Sequence, residues 1–325
     1  MLPRHLLRAL AAAAALLLFA PLAGAQDYPA RPVRMVVPFP PGGSTDVLAR
    51  LFARSLGETL GQPVVIENKP GAGTVVGSDL VAKAAADGYT LLFSGASTYT
   101  VTPILYPSLP YDPDEALEPV GIIAATPLIL LANPSKVRAS DLRGLAAELQ
   151  AHPDMAYGSF GSGSTSNFVG EMFNAALGAS MLHVPYKGSA PAMTDLIGGQ
   201  IPLTVDTVVA AEPQIRAGKV KAIAVSSARR SQLLPDVPTA AESGYPDVAF
   251  STWFAITAPS GLPAHARDKL VSAVHRIMQD EDLRRKFVEN GFEPEYGSPA
   301  DYRERVADES QRLKAVAERA NIAIR

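Results

Sequence analysis

The chain has 325 residues, 47% hydrophobic and 19% charged, which suits about two globular domains and not a disordered chain. A formal charge of −3, with no basic block or basic–aromatic stripe, argues against nucleic acid as a partner. The absence of cysteine excludes disulfides, thiolate metal sites, iron–sulfur clusters and thiol catalysis.

Residues 1–25 read as a signal peptide. Arg4 and Arg8 form a positive start, Leu10 to Phe19 an apolar centre, and Ala23-Gly24-Ala25 a small-residue cleavage site. The alternative, an N-terminal membrane anchor, has an apolar run short for a bilayer. Export with cleavage after Ala25 is expected, with a bacterial periplasm as the destination. No later stretch approaches a membrane span, so the mature protein is not expected to be membrane-inserted.

Strand and helix patterns then alternate. "VRMVVPF" (33–39) reads as a strand, and apolar positions from Thr45 to Leu60 recur at helical spacing. "PVVIENK" (63–69), a helical pattern through Val81, and "YTLLFSG" (89–95) follow. This is the grammar of a parallel sheet flanked by helices. The middle repeats it: "MAYGSF" (155–160), a polar loop, a helix marked by Phe168, Met172, Phe173 and Leu177, then "MLHVPY" (181–186), "IPLTVDT" (201–207) and "KVKAIAVSS" (219–227). After "WFAITAP" (253–259) the chain turns mostly helical, with patterns over 281–290 and 299–320. "VGIIAATPLILLANP" (120–134) is long for one strand, which suggests a crossing between two lobes, with "WFAITAP" as the return. The expected division is 26–125 and 251–325 for the first lobe and 126–250 for the second.

Two loops invite a chemical reading. "PFPPGGSTD" joins the first strand to its helix, and "FGSGSTSN" (160–167) does the same in the second unit. The first N–H groups of a helix lack intrahelical partners and carry partial positive charge. Glycines let a ligand approach them, and Ser44 or Thr45 can cap the helix or turn to that ligand. If the lobes face each other, the two loops form an anion site without a cationic side chain, suited to a small carboxylate or dicarboxylate. The alternative is turn and cap chemistry alone. Asp46, in the first helical turn, complements the helix dipole or meets a ligand amine. Lys187 lines the cleft or is a solvated strand-end lysine. Asp206 takes a ligand amine or hydroxyl, or caps the helix after it.

Enzyme motifs are missing. "GAGTVVG" (71–77) has dinucleotide-like spacing, but the strand after it ends without an acidic residue for a ribose. There is no G-x-x-x-x-G-K-[ST] loop, no G-x-S-x-G elbow and no His or carboxylate spacing for a metal. His183 in "MLHVPY" reads as a core histidine. No catalytic residue, metal or cofactor is expected.

Seven strings, in order, resemble the Bug family of periplasmic receptors of tripartite tricarboxylate transporters: "YPARPVRMVVPFPPGGSTDVLAR", "LGQPVVIENKPGAG", "DGYTLLF", "LPYDP", "HVPYKGSAPAMTDLIGGQIPL", "RSQLLPDVPTAAESGYP" and "WFAITAPSGLP". The resemblance implies an α/β, two-lobed periplasmic binding protein fold of the type II, Venus-flytrap kind, each lobe a mostly parallel sheet flanked by helices. It implies capture of a small carboxylate (amino dicarboxylate, citrate-like or aromatic) and delivery by a monomer to a two-subunit inner-membrane permease. The alternatives are a periplasmic enzyme or a sensory receptor for a small organic acid. The first family loop matches at Phe39, Pro41, Gly42, Gly43, Ser44, Thr45 and Asp46. The second matches at Ser159, Gly161, Gly163, Ser164 and Thr165. Ser97, Thr98 and Tyr99, in the loop after "LLFSG", complete the expected site with Asn167, Lys187 and Asp206. Many relatives carry His at Asn167 and near Tyr99, so the resemblance implies a less charged, bulkier or more aromatic ligand here.

Overall fold

A computed structural model describes residues 28–106, 108–319 and 322; the expected signal peptide lies outside them. The first unit runs β1 (Val33–Val37), α1 (Ser44–Leu60), β2 (Val64–Asn68), α2 (Val75–Ala82) and β3 (Thr90–Gly95). Val33, Met35, Val36 and Val37 of β1 are all buried, as befits a strand covered on both faces. Leu48, Phe52, Leu56 and Leu60 of α1 pack inward, and left-handed Gly61 ends the helix, returning its N–H to the Gly57 carbonyl. A single π-helical turn (Ser97–Val101) and the short α3 (Thr102–Leu105) follow β3.

The 16-residue β4 (Leu117–Ala132) is shared by two sheets. From Leu117 to Pro127 it pairs antiparallel with β9 (Ser251–Pro259); from Leu128 to Ala132 it pairs with β7 (Leu203–Thr207) and β8 (Lys221–Val225). The second unit comprises α4 (Leu142–Ala151), β5 (Ala156–Ser159), α5 (Thr165–Leu177), β6 (Leu182–Pro185), α6 (Ser189–Ile197) and α7 (Val208–Arg216, between β7 and β8). The strand order is β2-β1-β3-β9-β4-β7-β5-β6, with β8 and β10 (Glu293–Gly297) also on β4. Ladders among β1, β2 and β3, and among β5, β6 and β7, are parallel; those made by β4 and β9 are antiparallel.

β9 pairs only within the first sheet, with β3 and β4. The chain steps back just before it. Ser226 donates its N–H to the Leu128 carbonyl, and Phe250 donates its own to the Ser226 carbonyl, so the return segment lies beside the outward crossing. The C-terminal part forms α8 (Ala264–Ile277), α9 (Glu281–Glu289) and α10 (Pro299–Arg319). Leu270, Val274, Ile277, Leu283 and Phe287 close the first-lobe core around β1 and β3. β10, α4 and the π-helical turn have no counterpart in the periodicity reading.

Candidate functional site

The C-terminal ends of β1, β3, β5 and β7 converge, the position where open α/β sheets place ligands. A partly open cavity of about 130 Å³ lies there. The first lobe lines it with Phe39, Pro40, Pro41, Gly43, Ser44 and Thr45 before and within α1, with Gly95 and Ser97 after β3, and with Thr252 and Phe254 of β9. The second contributes Phe160 and Thr165 around the α5 start, Gly188, Ser189, Ala190 and Pro191 at the α6 start, and Asp206 and Thr207 at the end of β7.

Gly43, the cap residue of α1, supplies no capping side chain. The first N–H of this helix to find a carbonyl is that of Val47, on Gly43; those of Ser44 and Thr45 meet no acceptor among the described residues. Both residues line the cavity, at the positive end of a 17-residue helix. Asp46 does not compete for that place. It is buried, accepting from Gly42 N–H at 3.0 Å, from Arg50 at 2.9 and 3.0 Å and from Asn68 Nδ2 at 2.9 Å. Burial pushes its carboxyl up, but the bonds from Arg50, Gly42 and Asn68, with Arg50's charge, hold it below the ordinary value. Asn68 also donates to the Phe39 carbonyl, so the clamp shapes the loop from both ends. Gly42 is exposed, at φ +86.

The second expected loop is spent on itself. Ser164 Oγ accepts from Asn167 N–H, Asn167 Oδ1 from Gly163 N–H at 3.1 Å, and Ser159 Oγ from Gly161 N–H at 3.2 Å. Thr165 N–H is taken across the cleft by Ser97 Oγ at 3.0 Å. Of these residues only Ser97 and Thr165 border the cavity. The open helix start in the second lobe is that of α6. Gly188 (φ +128) gives no side-chain cap, and the N–H groups of Ser189 and Ala190 have no acceptor among the described residues. The sequence signal was a glycine followed by Ser-Ala-Pro, since proline in a first helical turn removes an N–H that has no partner anyway.

Asp206 is the single charged side chain on the cavity wall and is 1% exposed. Its Oδ2 accepts from Ser189 Oγ at 2.5 Å and its Oδ1 from Thr207 N–H at 2.7 Å. Burial pushes the carboxyl up to about 6, against these hydrogen bonds. No lysine or arginine lines the cavity. Lys187 is exposed, with no ion pair among the described residues.

Tyr99 and Thr98 face away from the cavity. The π-helical turn directs Ser97 toward it and sends Tyr99 into the core, stacked on Trp253 with centroids 5.6 Å apart and edge-on to Tyr302. Thr98 Oγ1 lies 2.6 Å from Ser94 Oγ. Asn167 is buried behind its loop. Neither Asn167 nor Tyr99 lies on the cavity wall.

The lobes touch around the cavity. Phe39 and Phe160 meet edge to face, centroids 6.2 Å apart. A Cβ added at Gly188 would stand 3.0 Å from Pro40 Cγ, and one at Gly73 2.6 Å from the Ser162 carbonyl. Among the described residues there is no group of three His, Cys, Asp or Glu able to hold a metal, and no helix long and apolar enough to cross a membrane.

Residues 48–322 match the family model described as the tripartite tricarboxylate transporter family receptor. The chain is 42% identical over 294 residues to the protein BugT of Bordetella pertussis, covering 90% of each chain. Among solved structures it superposes on the periplasmic binding protein BugD with a TM-score of 0.86 at 36% identity, over 91% of this chain and 99% of that one. It also superposes on MatC from Rhodopseudomonas palustris with bound malate, with a TM-score of 0.84 at 35% identity, over 89% and 99%. The two-lobed architecture is thus that of periplasmic binding proteins.

Proposed function

The chain belongs to the tripartite tricarboxylate transporter receptor family, and from that membership we propose that it captures a small carboxylate between its lobes without chemically altering it. The observation that carries the reading is the pair of open helix starts, α1 in one lobe and α6 in the other, bordering one cavity. Backbone N–H groups so placed bind a carboxylate by hydrogen bonds and helix dipoles, with no cationic side chain needed. Gly43, Ser44, Thr45, Ser97, Thr165, Ser189 and Asp206 are the proposed contact residues, with Phe39 and Phe160 as the closing pair.

Asp206 narrows the ligand class. A buried carboxylate on the wall repels a ligand carboxylate placed against it and attracts a donor there. The ligand therefore carries a hydroxyl or amine beside its carboxylate, as malate or an amino dicarboxylate does. The ligand holds the closed form to the extent that it binds that form more tightly than the open one. The lobes divide at residues 126–128 on the way out and 226–251 on the return. The proposal extends to export after Ala25, a monomeric receptor, and delivery to a two-subunit membrane permease.

Native mass spectrometry of the protein as purified tests the reading, followed by calorimetry with malate, aspartate, citrate and a plain dicarboxylate. Retention or tight binding of an unaltered hydroxy or amino acid is expected. Turnover of the acid, or failure of every carboxylate to bind, would overturn it.

A further inference from the structure

Behind the Gly161–Ser164 loop lies a row of polar side chains: Tyr157 and Ser159 from β5, Asn167 and Glu171 from α5, and His183 from β6. Its hydrogen bonds run in one direction. Tyr157 Oη lies 2.7 Å from Glu171 Oε1, and an ionised carboxylate only accepts, so the phenol donates there. The phenol oxygen then accepts from Asn167 Nδ2 at 3.0 Å. That orients the amide. Its Oδ1 faces Gly163 N–H, and its second Nδ2 hydrogen points at His183 Nδ1, 3.4 Å away. Nδ1 must accept, so the ring proton sits on Nε2, which donates to Ser159 Oγ at 2.7 Å. Ser159 in turn donates to the Gly161 carbonyl at 3.1 Å. The His183 ring stacks on Tyr157, centroids 5.1 Å apart. Ser159 is fully buried and does not border the cavity, so the Ser–His contact braces a loop and is no nucleophile.

We propose that His183 and Asn167 are positioning residues for ligand capture: neutral His183 holds the second loop in its binding shape, and proton uptake on His183 releases it. The proposal rests on the cavity being the ligand site, because Phe160 and Thr165, which bracket the loop, line it. A protonated ring carries hydrogens on both nitrogens, and Nδ1–H then faces the Asn167 NH2, donor against donor. The amide can accept only by turning Oδ1 to the ring, which takes that oxygen from Gly163 N–H. Either the Asn167–His183 bond that orients the amide or the Asn167–Gly163 loop bond is lost.

The titratable groups facing His183 from the packed elements are Tyr157 on β5 and Glu171 on α5. Burial lowers the proton affinity of His183, and the negative charge of Glu171 offsets only part of this, so the group lies below its ordinary value of 6.5. When the loop opens, the ring regains its ordinary value. The locked form therefore loses ground as pH falls through about 6.5, by up to about tenfold for each unit of pH.

The test is amide hydrogen exchange at Gly161 and Gly163, corrected for intrinsic rates, at about pH 7.5 and about pH 5.5, with calorimetry against malate under the same conditions. Wild-type protection should fall on acidification, by up to about tenfold, and malate affinity should fall with it. His183→Gln, which still donates and accepts but cannot take up a proton, should keep its protection with a flat pH profile. His183→Ala should lose protection at both values. Constant wild-type protection, or the same fall in His183→Gln, overturns the lock. Malate affinity that ignores the loss of protection overturns the positioning role. Malate failing to bind at either pH counts against the ligand reading, while the exchange measurements still decide the lock.

Discussion

Replacing Asp206 with Asn should stabilise the ligand-free protein near neutral pH. The carboxyl is 1% exposed, receives hydrogen bonds from Ser189 and Thr207, and lies in a cavity lined by no cation. Burial raises it from 3.8 to about 6, a shift of about two pH units. At about 1.36 kcal/mol per unit, keeping it ionised in the folded state costs about 3 kcal/mol. The sign follows from linkage: the folded state binds its proton more tightly than the unfolded chain. Stability from this group is therefore fully present below about pH 4 and is lost as pH rises through about 6. Asn removes the charge but gives up the acceptor for Ser189 Oγ, worth about 1 kcal/mol. The net expectation is a variant more stable by about 2 kcal/mol at about pH 7.5, with the advantage gone at about pH 4. Urea unfolding of ligand-free protein at the two pH values measures it. The same variant should bind hydroxy and amino acids more weakly, a trade of function for stability. An Asn variant no more stable than wild type at about pH 7.5, or an advantage that ignores pH, would refute the reasoning.

Three further outcomes follow from the cavity wall. Gly43 has an ordinary backbone conformation (φ −80, ψ 168), and a Cβ there meets nothing within 4 Å. Gly43→Val should thus unfold within about 0.5 kcal/mol of wild type yet bind ligand at least about tenfold more weakly, by standing over the Ser44 and Thr45 N–H groups; calorimetry showing wild-type affinity contradicts this. Gly188→Ala places a Cβ 3.0 Å from Pro40 Cγ on the other lobe, at φ +128, and should keep the lobes apart. Small-angle scattering that finds this variant as compact with ligand as wild type counts against the closing contact. Phe39→Ala removes an edge-to-face pair with Phe160, worth about 0.5–1.5 kcal/mol, so ligand release in stopped flow should speed up by up to about tenfold. An unchanged release rate would mean that the pair does not gate the cavity.

Most strands and helices of both units, α4 excepted, were legible because their signals are local. The apolar run in "VRMVV" and the helical spacing of Leu48, Phe52 and Leu56 each involve residues a few positions apart. The length of β4 likewise announced a strand serving two sheets. The open N–H groups of the first loop could be read the same way, since what leaves them open is the absence of a side-chain cap at Gly43. The second loop could not. Whether its N–H groups are free depends on Ser97, which reaches Thr165 from 68 positions away, and on an amide oriented by Tyr157 and Glu171. The same holds for the α6 start, whose importance comes from facing Pro40 of the other lobe, and for Thr252 and Phe254, brought to the wall by a strand that joins the sheet late in the chain. Sequence alone determined where helices begin; only the packing of distant segments decided which beginnings stayed open, because a backbone N–H is satisfied by whatever acceptor arrives through space.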